Sequence, residues 1–178
     1  IGLPGGAVHD FLPHLVYLFQ ALTGAGEAEC VIGEYTNRSG NARAGYDFCD
    51  VLLRAGPVRG RLRVATDVEP SAFRVILRGS EGSVESDLYN PFQRFEGRPY
   101  TGKTYPLGQV RAGLSLARAG LGNLRNKIGQ HGTTHGLPRM LAAVYAAIRE
   151  GRAPPITPAE MLATARLTDQ ILALRSAP

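Results

Sequence analysis

The chain has no stretch of the roughly 18 to 20 uncharged apolar residues that a bilayer-crossing helix needs, and its first residues lack a charged segment followed by an apolar one. A membrane protein of the helical kind and a visible export signal are therefore not expected. Cysteine is scarce. Cys30 and Cys49 are the only two, each inside an apolar or alternating segment where a buried free thiol is ordinary, so a disulfide framework is not expected and a reducing, cytoplasmic setting is. Lysine is nearly absent too: of 20 basic residues only Lys103 and Lys127 are lysines. The net charge of +5 comes from arginines spread along the chain without an aromatic-plus-basic signature, which speaks against a nucleic-acid footprint. A dinucleotide fingerprint is missing as well, because Gly24-Ala25-Gly26 and Gly120-Leu121-Gly122 lack the third glycine and the strand that must precede it.

What is present suffices for one sizeable core. A chain of 178 residues with 44% hydrophobic residues buries roughly two thirds of its unfolded surface, and a single domain over 1–178 is the default expectation. The chain opens on Ile1 beside a glycine-rich motif, which reads as a fragment of something longer. From Val8 to Leu22 the residues Val8, Phe11, Leu12, Leu15, Leu18, Phe19 and Leu22 recur at steps of three and four, the stripe of an amphipathic helix. From Glu27 to about Ser86 the period becomes two, which predicts strands, with Gly56-Pro57 and Gly79-Ser80-Glu81-Gly82 as turns between antiparallel partners.

Residues 89–132 are rich in Gly, Pro, Arg and Asn, with one candidate helix from about Leu107 to Leu124. Helices return with the stripe Leu137, Met140, Leu141, Val144, Tyr145 and Ile148, which Gly151 stops. The last helix has the clearest start: Thr157 as cap, Pro158 at the first helical position, Glu160 three residues after the cap. Helix, strands, then helices describe an α+β domain, an antiparallel or mixed open sheet with helices packed on one face. Val51, Leu53 and Ile76 are expected to point outward from the sheet, where a bare apolar face would favour a homodimer or homotetramer through that face.

On a helical wheel Asp10, His14 and Tyr17 cluster opposite the apolar stripe, and Asp10 and His14 are one i,i+4 step apart. A carboxylate beside an imidazole favours its protonated form and fixes its tautomer, which suits a proton donor or acceptor. The same pair also fits a plain solvated helix face. Pro4-Gly5-Gly6 just upstream lets the backbone approach a ligand closely beside the positive end of the helix dipole.

The string PGGAVHDFLPH, residues 4–14, resembles the GGGxxxDxxxH segment that opens the C-terminal domain of the glucose-fructose oxidoreductase, inositol dehydrogenase and MocA (Gfo/Idh/MocA) family. Residues 79–83, Gly-Ser-Glu-Gly-Ser, are similar to the family's GTxGx turn, and Pro155-Ile156-Thr157-Pro158-Ala159-Glu160 to its P-V-T-P-E-E. The likeness runs in order along nearly the whole chain except 89–132. It implies a C-terminal-domain fold like those of dihydrodipicolinate reductase and glyceraldehyde-3-phosphate dehydrogenase, with NAD or NADP bound mainly by a Rossmann domain that this chain lacks. It further implies that His14 serves as acid/base on the reacting hydroxyl of a sugar, cyclitol or nucleotide sugar, that Asp10 supports it, and that Gly5 and Gly6 lie on the nicotinamide side. The family's third catalytic group, a lysine of an E-K-P motif, belongs to the missing domain. Pro4, Leu12, Pro13 and Tyr17 depart from the usual pattern.

Further substrate contacts are expected from Tyr17, His135, Asn123, Arg125 and Lys127. His131 and His135, four apart, pair at helical spacing, but nothing joins them to His9 or His14 in a metal set. Residues 97–104 match G-x-x-x-x-G-K-[ST], although polar residues precede them and Pro106 follows, contrary to the strand and helix that a phosphate-cradling loop needs. The alternative to an enzyme domain is a non-catalytic binding or oligomerisation domain of the same fold.

Overall fold

The computed structural model describes residues 3–24, 27–97, 105–129 and 136–175. Ten elements follow one another: α1 (Gly6–Thr23), β1 (Glu29–Thr36), β2 (Phe48–Ala55), β3 (Val58–Ala65), β4 (Arg74–Gly79), β5 (Gly82–Asp87), β6 (Phe92–Gly97), α2 (Tyr105–Gly129), α3 (Gly136–Glu150) and α4 (Pro158–Leu172). The fold is α+β, and among the described residues the strands are all antiparallel, in two three-stranded sheets ordered β1-β2-β3 and β4-β5-β6. Two compact units contain them: Ile1–Val68 with Gly136–Pro178, and Glu69–His135.

In the first unit β2 is the central strand, and its burial alternates with the pleat. Cys49, Val51, Leu53 and Ala55 are buried, while Leu52 and Arg54 are exposed. The buried row meets Val8, Leu12, Val16 and Phe19 of α1, Tyr35 of β1, and Leu167, Ile171 and Leu172 of α4 in one core. The helices also touch each other, Thr164 Oγ1 of α4 lying 2.9 Å from Gln20 Oε1 of α1. Both cysteines are free, Cys49 buried and Cys30 half-buried, and burial pushes the Cys49 thiol up to about 12, with smaller contributions from Cys30 and Asp50.

The faces of this sheet correct one expectation. Val51 and Leu53 do not point outward; they are the centre of the core, at 1% and 0% exposure. The outward face shows Leu52 and Ile32 among charges, with Arg61 pairing bidentately to Asp50 at 2.7 and 2.6 Å. The misassignment follows from reading β2 alone: an apolar residue stands on both faces of it, and only the helix stripe decides which side is covered. That stripe is itself revised, since Val16 is buried while Phe11 and Leu22 are exposed. Of the three residues expected on an open face, Ile76 alone is exposed.

The α4 start forms as the residues dictate. Thr157 Oγ1 accepts from the Glu160 amide at 3.2 Å, and Glu160 Oε2 accepts from the Thr157 amide at 2.7 Å, the reciprocal box that satisfies two orphan donors. Gly151 ends α3 with φ +62°. The stripe of α3 exists, but Leu137, Met140, Leu141, Tyr145 and Ile148 are exposed.

In the second unit β4 and β5 form the hairpin whose strands meet at Gly79 and Gly82. β6 lies in the segment that periodicity left as loop: its Gln93, Arg94 and Glu96 conceal the pattern, and it pairs with β5 along its whole length. The helix α2 rests on β6, Ser115 Oγ donating to the Gln93 carbonyl at 3.5 Å and Asn123 Nδ2 to the Pro91 carbonyl at 2.7 Å.

Candidate functional site

The site begins with the way α1 is started. Gly5 and Gly6 are both buried, and Gly6 has φ +60°, a left-handed backbone that only glycine adopts without penalty. A Cβ on Gly6 would stand 2.2 Å from the Tyr46 nitrogen and 2.5 Å from the Ala44 carbonyl oxygen. A Cβ on Gly5 would stand 2.5 Å from the Tyr35 hydroxyl. Those atoms are this chain's own, and they take up the orphan groups of the helix start. The Ala7 amide donates to Ala44 O at 2.9 Å, and the Val8 amide to Tyr46 O at 3.2 Å. Tyr35 Oη donates to Gly5 O at 2.7 Å, the Gly5 amide to His9 Nδ1 at 3.3 Å, and the Arg175 guanidinium to Pro4 O. The two glycines thus admit the 44–46 loop. The first amides of α1 are thereby satisfied within the chain.

The loop itself is held by Asp47, whose carboxylate accepts from the Arg38 amide at 2.7 Å and the Ser39 amide at 2.9 Å and is 1% exposed. Burial alone would raise its pKa, but hydrogen bonds from Ser39 and the two amides outweigh it and hold the carboxyl below its usual range. Tyr46 stacks edge-on against Tyr35, ring centroids 5.2 Å apart, and burial chiefly pushes the Tyr35 phenol well above its ordinary range. Tyr35, Asp47 and Arg175 are the residues that sequence reasoning missed. The only signal was that Tyr35 falls on an alternating strand and Asp47 just before one; which backbone each would serve lies in the tertiary fold.

From this anchored start α1 presents Asp10, His14 and Tyr17 on one exposed face, opposite the buried Val8, Leu12, Val16 and Phe19. Among the described residues no hydrogen bond or ion pair joins Asp10 to His14. Pro13 sits between them inside the helix and withdraws one backbone donor from the ladder. The face offers an imidazole, a carboxylate and a phenol, all three exposed.

The remaining expected residues are not on α1. Asn123, Arg125 and Lys127 are on α2 in the second unit. The Asn123 amide is engaged by Pro91, Arg125 is exposed, and the Lys127 side chain is outside the described residues. His131 and His135 lie outside the described residues, as do 98–104 of the phosphate-loop-like string. No three His, Cys, Asp or Glu side chains gather into a possible metal set among the described residues. The described residues also contain no Rossmann-type dinucleotide turn. Such a turn needs a parallel strand before it and a helix with free N-terminal amides after it, whereas both sheets are antiparallel and the start of α1 is filled.

No protein-family model and no curated protein matches the chain. A solved structure does, titled as that of a "putative oxidoreductase" from Erwinia carotovora atroseptica SCRI1043, with a TM-score of 0.57 and 16% identity. The match covers 92% of this chain and 46% of that one, so the chain spans about half of that structure's length. At this identity the likeness is one of fold: the α+β architecture described above is similar to that of this structure.

Proposed function

We propose that this chain is the substrate-binding half of an NAD(P)-dependent oxidoreductase of the Gfo/Idh/MocA kind, acting on a hydroxyl or keto group of a sugar, cyclitol or nucleotide sugar. The observation that carries the reading is the face of α1. Asp10, His14 and Tyr17 are all exposed on a helix whose start is fixed by hydrogen bonds to two other segments. The shared fold with an oxidoreductase structure supports it. In this reading His14 takes the proton from the reacting hydroxyl, or returns it to the carbonyl oxygen, as a general acid/base. Asp10, one turn away, orients the substrate or the imidazole once a ligand closes the gap between them. Tyr17 offers its phenol to a second hydroxyl and its ring to the sugar face. In this reading the dinucleotide is bound by another domain, and Gly5 and Gly6 serve that arrangement by setting where α1 begins.

The test uses the polypeptide that joins this domain to its nucleotide-binding domain. General acid/base groups contribute roughly 10² to 10⁴ in rate, so His14→Ala should lower kcat/KM by at least about a hundredfold. An exposed helix residue changes stability by about 0.5 kcal/mol or less, so the melting temperature should hold. Near wild-type activity of that variant would favour a non-catalytic binding domain. The isolated 178 residues should show no dinucleotide binding in calorimetric titration, and tight binding there would overturn the division of labour.

A further inference from the structure

Most of the net charge of this protein and one continuous seam of exposed apolar side chains lie on the same helix. Along α2 the residues Leu107, Val110, Leu114, Leu121, Leu124 and Ile128, with Ala117 in the middle, follow alternating steps of three and four over three heptads. This is the spacing of a coiled-coil seam, narrower than the broad stripe of a helix packed on a globular core. Those six side chains are 57 to 76% exposed. The side of α2 turned to β6 is the opposite one, where Gly108, Ala112, Ala119 and Asn123 are half-buried and Ser115 and Asn123 make the hydrogen bonds. The seam is therefore not the face by which α2 is attached.

A row of arginines borders it. Arg111, Arg118 and Arg125 stand seven residues apart, each directly after a seam position, while the other border is Pro106, Gly113 and Gly120. The helix has four basic and no acidic residues, so it holds four of the five net positive charges; the rest of the chain has 16 basic and 15 acidic residues. We propose that this seam docks an amphipathic helix of another polypeptide, one whose apolar seam is flanked by aspartate or glutamate. Six side chains each offering roughly 100 Å² present on the order of 600 Å², against about 800 Å² per partner in a standard interface, and the arginine stems extend it.

Charge complementarity selects this occupant over others. A second α2 laid antiparallel would set the arginine row against itself, and laid parallel would set it against Pro106, Gly113 and Gly120, which return no charge. No other helix among the described residues supplies an acidic row: α1 has Asp10 alone, α3 Glu150 alone, and α4 Glu160 and Asp169, nine apart. A lipid surface is suited by a broad apolar face with aromatic residues at its edge, and α2 has a narrow seam without an aromatic.

The experiment titrates the 178-residue chain with two synthetic helical peptides of about 28 residues, four heptads with the same leucine seam, one flanked by glutamates and one by lysines. Like charges keep each peptide from pairing with itself. The glutamate peptide should bind, more weakly as salt rises, and the lysine peptide should not. Leu121→Asp, on an exposed position, should weaken glutamate-peptide binding at least about tenfold with an unchanged circular dichroism spectrum. The triple variant Arg111→Glu/Arg118→Glu/Arg125→Glu should exchange the preference in favour of the lysine peptide. Equal binding of both peptides, or of neither, overturns the proposal. So does a dimer in sedimentation that Leu121→Asp abolishes, or seam-dependent binding to phosphatidylserine vesicles by a chain that ignores the glutamate peptide.

Discussion

Replacing Gly6 by alanine perturbs the start of α1 in two separable ways, and their sum is large enough to measure. The backbone at Gly6 has φ +60°, and an L-residue in the left-handed region costs about 1 to 2 kcal/mol. The new Cβ would also stand 2.2 Å from the Tyr46 nitrogen and 2.5 Å from the Ala44 oxygen. Both are backbone atoms, so relief requires the 44–46 loop to withdraw. Withdrawal breaks the hydrogen bonds from Ala7 to Ala44 and from Val8 to Tyr46, each worth about 1 kcal/mol net. Gly6→Ala should therefore cost about 3 to 4 kcal/mol, a large part of the 5 to 15 kcal/mol typical of a whole domain. Urea denaturation followed by circular dichroism gives the number. Gly24→Ala is the internal control: φ is +64° there and a Cβ meets nothing within 4 Å, so only the conformational part remains, about 1 to 2 kcal/mol. Equal losses in the two variants would refute the claim that the loop packs against Gly6.

Two further outcomes follow from buried polar groups. Asp47→Asn should destabilise by roughly 2 to 3 kcal/mol at neutral pH, the scale of hydrogen bonds to a charged acceptor. Because the folded-state pKa of Asp47 is lowered, its contribution is fully present above the unfolded value near 4 and is lost as pH falls through the folded value. The gap between wild type and variant should therefore narrow only under acid, and a gap constant from pH 7 to pH 2 would contradict the assignment. Thr168 is 5% exposed and its hydroxyl has no partner among the described residues, so Thr168→Val should stabilise by about 1 kcal/mol. A lower urea midpoint in that variant would show that the hydroxyl is bonded after all.

Much of the fold was legible in the sequence because local signals agreed with the tertiary answer. The box Thr157-Pro158-Glu160 fixed the start of α4 to the residue, and the turn residues at Gly56 and Gly82 fixed two hairpins. Legibility failed where local pattern and burial part company. β6 is a strand through its pairing with β5 and not through periodicity, since Gln93, Arg94 and Glu96 take part in a ladder that needs only their backbones. The division into two sheets was equally out of reach, because hairpin signals specify neighbours and say nothing of where a sheet ends.

The site shows the same boundary at the scale of single residues. The i,i+4 spacing placed Asp10 and His14 on one face, since that relation is set by the helix alone. The intrachain contacts of Gly5 and Gly6 were not legible, because a glycine pair marks a close approach without saying to what. The structure supplies the second party: Tyr35 from 30 residues downstream and Ala44 and Tyr46 from the following loop, with Asp47 holding that loop in place. The consequence reaches the proposed chemistry. If the positions of His14 and Asp10 derive from that clamp, loosening it at Asp47 should lower turnover while both side chains remain, and the loss should appear in kcat/KM without any change in the group that exchanges the proton.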